Sequence, residues 1–481
     1  MRVAILCLLF LGAASRDEFK DAAAKLAEAM AKRDHEDIVK ALKTLPPDDP
    51  RSAKLLFDHL KLPDWWLKGR IVGTLEQPPY LKALLEEIEQ TKRKDVREAC
   101  AWALGQHDGD VAVAALAKTL ADPDWRVRRA AALAIGSRFS KERVDALVAR
   151  MPEEKDTGVL HLIAGRLAIR TRQSFGANAE AWTSWWKANR DGEGADEDGK
   201  TGQTEFKDFK LSHDTVASPD SKLGILILPD FPARPGYFRP HLDFLSAYGN
   251  LHYIRLPDPR MSATERSPNG NPIYPIENLV GALEKLRFDF KEERFIIVGH
   301  GATVWLAMAY ARNYPESIAG LIFFGAYVDD DSFMAASRRA LTEALQKKDT
   351  FLEGAANWRI GSKKVNWKMG HTVATFSQFA ADPGELALAR VHVTYFEDYS
   401  GTVTIPDVRA AFVQPIPTPA LFLYGRHDAF SGLPEYRRAT KYLSAAQAVA
   451  FDNSGALPFL SESDKFTKTL LEFVGRVTKK K

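Results

Sequence analysis

Residues 295–316, FIIVGHGATVWLAMAYARNYPE, hold the spacing best suited to chemistry. The apolar run Phe295 to Val298 reads as a buried strand. Helical periodicity begins near Ala302 and stops before Pro315. A sharp strand-to-helix turn of this kind normally presents a serine as Gly-x-Ser-x-Gly, its hydroxyl exposed to attack an acyl carbon. Here the turn reads Gly299-His300-Gly301-Ala302-Thr303, and a glycine stands in the serine's place. Acyl transfer also needs a histidine to move the proton, a carboxylate to hold that histidine, and backbone N–H groups for the oxyanion. Thr303 begins the helix two residues late and is expected to pack down rather than attack. The eleven histidines show no His-Glu-x-x-His or similar pairing, and no Gly-rich phosphate loop follows a strand. No metal and no cofactor are therefore expected.

The elements that must position this turn fall in two halves. Residues 16–190 are rich in Ala, Leu, Arg and Glu at helical spacing. DVREACAWALGQ from Asp95 and WRVRRAAALAIGSR from Trp125 resemble one another, with Val96 matching Val127 and Gly105 matching Gly136. The period of about thirty residues predicts stacked helix pairs. Pro-Asp precedes the helices beginning near Trp65 and Trp125, with Asp64 and Asp124 expected as caps. Trp182, Trp185 and Trp186 lie at the spacing of one helix face and are expected to seal the end of the stack. Residues 191–204, DGEGADEDGKTGQT, contain no large apolar side chain and read as a linker, at which proteolysis is expected to give two stable fragments. From residue 205 to 478, short apolar runs alternate with helices, which predicts a parallel, doubly wound sheet. The runs begin at Lys222, Leu251, Arg294, Ile318, Thr418 and Gln447. A helix is expected over Pro240 to Gly249.

The ends and the charge bound the functional class. Arg2, the apolar Val3 to Leu11 and the small residues Gly12-Ala13-Ala14-Ser15 form the three-part pattern of an export signal, residues 1–15. A periplasmic or extracellular address is expected, with no transmembrane segment in the mature chain. The formal net charge of +3 is too small and too dispersed to suggest nucleic acid. Cys7 lies in the signal and Cys100 sits among small apolar residues, so no disulfide is available to the mature chain.

The N-terminal half resembles HEAT repeats, an α-solenoid class, over about 130 residues. The C-terminal half resembles the α/β-hydrolase fold over about residues 204–478. That resemblance rests on the elbow Val298-Gly299-His300-Gly301, on YGRHDAF with Asp428 after a strand, and on FDNSGALPFLSESDKF as the last loop, in the family's order. LARVHVTYFEDY, from Leu388, resembles the lid of proline iminopeptidases, and a helical lid is expected over about 328–410. The resemblance implies a triad, and two of its positions are empty of function. The nucleophile position is Gly301 and the histidine position is Ala456, whereas Asp428 matches the acid. The oxyanion stretch reads Leu228-Pro229-Asp230-Phe231-Pro232-Ala233, in which the family's glycines are absent and proline lacks the N–H. His392 falls where proline iminopeptidases carry an amine-binding glutamate. His427 is expected to point away, and Ser454 lies in the wrong loop. Without a histidine, Asp428 is expected to cap its own turn.

Two functions remain open. One is a non-catalytic frame that binds a peptide, an acyl or sugar compound, or another protein. Its pocket would be lined by Asp230, Phe231, His300, Gly301, Ala302, His392, Asp428 and Ala456. The other is an active serine-type hydrolase, an esterase or aminopeptidase, with a relocated nucleophile.

Overall fold

The computed structural model describes residues 17–194, 199–207, 209–218, 221–229, 235–256, 265–266, 272–273, 276–326, 330–348, 352–353, 356–357, 360, 385–386 and 415–479. The expected signal, residues 1–15, and most of the expected lid lie outside them. No helix among the described residues is long and apolar enough to cross a membrane.

Eleven α-helices form the solenoid: α1 (Glu18–Lys32), α2 (His35–Thr44), α3 (Pro50–His59), α4 (Trp65–Leu75), α5 (Leu81–Gln90), α6 (Lys94–Leu104), α7 (Asp110–Thr119), α8 (Trp125–Ile135), α9 (Lys141–Arg150), α10 (Thr157–Thr171) and α11 (Ala179–Asn189). The even-numbered helices pack in one row from α2 to α10, and the odd-numbered ones back them. Aspartates start many of them. Asp64 accepts the Leu67 N–H at 3.0 Å and Asp124 accepts the Arg126 N–H at 2.9 Å. The repeated glycines are points of close approach. A Cβ on Gly105 would lie 2.8 Å from Ala134 Cβ of α8, and one on Gly136 would lie 2.6 Å from Arg166 Cβ of α10. Each successive inner helix rests on the glycine that ended the one before. At the far end Trp182 and Trp186 are buried, with their indole N–H groups donated to the Gly176 carbonyl and to Asp145.

Among the described residues of the second half, eight strands form one mixed sheet. These are β1 (Lys200–Phe206), β2 (Phe209–Val216), β3 (Leu223–Leu228), β4 (Asn250–Arg255), β7 (Arg294–His300), β8 (Ile318–Phe324), β9 (Ala420–Gly425) and β10 (Ala446–Phe451). Glu265–Arg266 (β5) and Pro272–Ile273 (β6) form a separate short ribbon. The order is β1-β2-β4-β3-β7-β8-β9-β10. From β4 to β10 the strands are parallel, but β2 is antiparallel to both β1 and β4. This corrects two expectations. The sheet is not wholly parallel, and the stretch read as linker through residue 204 enters the sheet at Lys200. The reason is the edge position. β1 is solvent-facing along most of its length, so it carries few of the apolar residues that mark a buried strand.

Alternation along the strands separates two cores. Ile225, Ile227, Ile296 and Val298 face one side, and Leu226, Leu228 and Ile297 face the other. The first side carries α12 (Arg239–Leu242), the 3-10 turn Asp243–Ala247 and the C-terminal helix, numbered α18 here (Ser463–Thr478). The second carries α13 (Ile276–Asp289), α14 (Val304–Asn313) and α16 (Leu433–Ala439). Between them in sequence lie α15 (Asp330–Lys347) and, before α18, α17 (Pro458–Ser461). The helix expected over Pro240 to Gly249 is in fact the short α12 followed by the 3-10 turn.

That first core continues into the solenoid. Helix α10 lies directly on the 3-10 turn and on α18. A Cβ on Gly165 would lie 2.8 Å from Phe244 N, and Gly158 leaves no room for a side chain against Ser463. Buried Arg166 pairs with buried Asp243, which also accepts the Tyr253 hydroxyl at 2.7 Å. The Thr157 N–H donates to Asp464 at 3.0 Å. A second buried cluster ties in the insertion between β8 and β9. Arg129 of α8 reaches Glu385 at 2.6 Å, Glu98 at 3.3 Å and the Leu460 carbonyl at 2.7 Å, and Arg126 lies 3.1 Å from Glu385. Burial, and then the neighbouring Glu385 carboxylate, hold the Glu98 carboxyl well above the usual carboxylate range.

Candidate functional site

The sheet order reverses at β3, which has β4 on one side and β7 on the other. In open α/β sheets a crevice forms beyond the C-terminal strand ends at such a switch point. Strand β7 delivers His300 there in extended backbone, and the chain then turns through the 3-10 segment Gly301–Thr303 into α14. Gly301 has φ +60°, in the left-handed region that side chains other than glycine's adopt only at a cost. The elbow thus keeps the conformation that projects a nucleophile, at a residue with no side chain to project.

Thr303 holds this turn. It is fully buried, and its hydroxyl accepts the His300 N–H at 3.2 Å. It faces the Leu228 carbonyl at 3.0 Å and the His300 carbonyl at 2.9 Å as acceptors for its own proton. It therefore packs down as expected and pins the end of β7 to the end of β3.

His300 is buried, and its Nδ1 shares a 2.7 Å hydrogen bond with the Tyr237 hydroxyl. The ring of Phe238 lies edge-on to it at 5.6 Å. On the other side, a Cβ built on Gly325 would lie 3.1 Å from His300 Nε2 and 3.9 Å from the Ala456 Cβ. Gly325 has φ +49°, so glycine is required there twice over, by conformation and by the approach of the imidazole. His300, Gly325 and Ala456 thus form one wall. Ala456 is buried, and its methyl group cannot carry a proton.

Asp428 follows β9, as expected from the sequence. Its Oδ1 accepts the Phe430 N–H two residues on, at 2.8 Å, and so caps its own turn. Phe430 is buried against Ala336 and Ala340 of α15. His427 is exposed, with its backbone N–H donated to the Ser454 carbonyl. The Ser454 hydroxyl donates to Glu462 at 2.6 Å. Glycine at 425 lets β9 lie against the Ser454-Gly455 backbone, which brings the acid loop and the last loop together.

The structure thus brings together His300, Gly301, Asp428 and Ala456 at one end of the sheet. Asp230, Phe231 and His392 lie outside the described residues, as does the side chain of Ala302. Tyr237 and Phe238 were not anticipated. The signal for them is PGYFRP, residues 235–240, a turn followed by two adjacent aromatics just beyond the oxyanion stretch. Among the described residues, no group of three or more His, Cys, Asp or Glu could hold a metal ion. Gly301 and Ala456 offer no side chain that could attack an acyl carbon or carry a proton. What remains is a partly aromatic crevice floor beside a carboxylate.

Residues 81–168, from α5 into α10, match the family described as HEAT repeats. The sequence matches no curated protein. Among solved structures, similarity is found to the proline iminopeptidase of Mycobacterium smegmatis, at 11% identity and TM-score 0.44, over 58% of this chain and 99% of that one. A thermophilic esterase from Thermogutta terrifontis is similar at 17% identity and TM-score 0.37, over 58% and 100%. The naproxen esterase of Bacillus subtilis is similar at 10% identity and TM-score 0.41, over 57% and 90%. At these scores the likeness adds nothing to what strand order and elbow geometry establish: a HEAT-like solenoid followed by an α/β-hydrolase-type sheet.

Proposed function

We propose that this chain is an exported, non-catalytic α/β-hydrolase-like protein that acts as a binding module for a peptide, a small acyl or sugar compound, or a protein. The observation that carries this reading is Gly301 at φ +60°. The backbone that would strain a serine is retained, and the hydroxyl is gone. Ala456 supports it, because a base has no purpose without a nucleophile. A relocated nucleophile gains no support from the hydroxyls of Thr303 and Ser454, which are engaged by Leu228 and His300 and by Glu462. Treating the native protein with a fluorophosphonate probe, beside a heat-denatured control, tests the proposal. No labelling above the control is expected. Stoichiometric labelling would establish an activated serine and refute it.

A further inference from the structure

A groove of about 480 Å³ runs along the even-numbered row of the solenoid, on α2, α4 and α6. Val39, Leu42, Val72 and Trp102 supply its apolar lining, and Leu386 of the insertion closes one side. Lys43 and Arg70 stand in the same lining. The solenoid pairs many of its cations: Lys40 with Asp37, Arg51 with Asp17 and Asp49, Lys68 with Asp95, and Arg97 with Asp122. Among the described residues Lys43 and Arg70 have no such partner. Arg70 only lies over the Trp66 ring, 5.4 Å from its centre. Glu76, the one carboxylate of the lining, already has an interaction partner.

Between these cations the helix surface carries two glycines. Gly69 and Gly73 lie four residues apart on α4, hence on one face. Glycine inside a helix is destabilising relative to alanine. Elsewhere in the solenoid that cost has a packing reason, since Gly158 and Gly165 of α10 each face a neighbour where a Cβ would stand. Gly73 has nothing within 4 Å of that position. The space is open to something from outside the described chain.

We infer that this groove binds an acidic peptide segment that carries a large apolar side chain between its carboxylates. The apolar side chain would lie over Gly73 against Val72 and Trp102, and the carboxylates would meet Lys43 and Arg70. Burial of the central side chain supplies affinity, and the two cations set orientation and exclude basic sequences. Leu386 is next to Glu385, which Arg126 and Arg129 hold, so an occupied groove would touch the insertion as well as the solenoid. The inference rests on reading the chain as a binding protein. It fails separately from the non-catalytic reading, which fluorophosphonate labelling decides.

The test is fluorescence anisotropy on the full chain. The probe is a labelled ten-residue peptide with a central leucine-phenylalanine pair flanked by aspartates, compared with its lysine-flanked counterpart. Saturable binding of the acidic peptide alone is expected. Lys43→Glu with Arg70→Glu should weaken it by about tenfold or more. Gly73→Leu, which fills the groove at a position with free space, should do the same, whereas Gly73→Ala should change it by less than about threefold. Circular dichroism and melting of each variant verify that it folds. Four outcomes would overturn the inference: no saturable binding up to millimolar peptide, equal binding of the lysine counterpart, undiminished binding by a folded Gly73→Leu, or preferential binding of a single-stranded oligonucleotide. So would a concentration-dependent dimer abolished by Gly73→Leu, which would give the groove to a second copy of the chain.

Discussion

Replacing Gly301 by serine adds a hydroxyl at the elbow and, under the proposed non-catalytic reading, should lower stability without producing turnover. The residue sits at φ +60°, and placing a Cβ in that region costs about 1–2 kcal/mol. Unfolding entropy is about 2.1 cal/mol/K per residue, so for 481 residues melting as one body it is about 1 kcal/mol per kelvin. The expected fall in melting temperature is therefore about 1–2 °C, and Gly301→Ala should share it. Gly299 provides the control two residues away. A Cβ there would meet Phe323 and Val304 at 3.4 Å, which is ordinary contact, and its φ is not in the left-handed range. Gly299→Ala should melt within a few tenths of a degree of the native protein. Hydrolysis of a short-chain nitrophenyl ester and of a proline amide should stay at background for Gly301→Ser. Adding Ala456→His should yield at most a trace, because Asp428 already accepts the Phe430 N–H and Pro229 has no N–H for an oxyanion. Two results would refute this reasoning. One is a Gly301→Ser variant that melts with or above Gly299→Ala. The other is turnover by the single variant.

The remaining expectations concern the interface, a buried carboxyl and the N-terminus. Cleavage between residues 191 and 199 should leave the two fragments associated on gel filtration, because α10 shares a core with α18; separation of the native fragments would refute this. Asp243→Ala should cost about 3–5 kcal/mol in urea unfolding by removing the carboxylate that pairs with the buried Arg166 and accepts the Tyr253 hydroxyl. Glu98 has a raised pKa in the folded protein, so its ionisation opposes folding as pH rises through that value. Glu98→Gln should therefore melt above the native protein at pH 8, with the gap closing toward pH 5.5, and a gap that widens on acidification would contradict this assignment. N-terminal sequencing of protein from its native host should find a start between residues 14 and 17, and retention of residues 1–11 would end the proposal of cleaved export.

Much of this was legible in the sequence because it depends on local chemistry. Gly105 and Gly136 mark the repeat because helices touch there, and Asp64 and Asp124 mark helix starts because a carboxylate satisfies free N–H groups. That Gly301 and Ala456 carry no reactive group was readable because acyl transfer demands particular side chains. The β1–β2 hairpin escaped because an edge strand needs no apolar run. The Tyr237–His300 hydrogen bond spans 63 positions and the Arg129–Glu385 pair spans 256, and neither has a local signal. The continuity of the core across the two halves escaped for the same reason. A glycine-rich, acidic connection has no large apolar side chain to bury, and says nothing of what the flanking domains do to each other.

Helix α10 and Asp464 of α18 are 307 residues apart in the chain yet in direct contact. Translation adds about 5–20 residues per second, and domains usually fold as they emerge. The apolar flank of α10 therefore waits roughly 15–60 seconds for the segment that covers it. During that interval the solenoid is an incomplete stack with an open flank, because its partner helix is made 307 residues later. A chain cut short before Ser463 would leave that flank exposed for the lifetime of the protein. Chains that lack α18 should therefore aggregate more readily than the intact one.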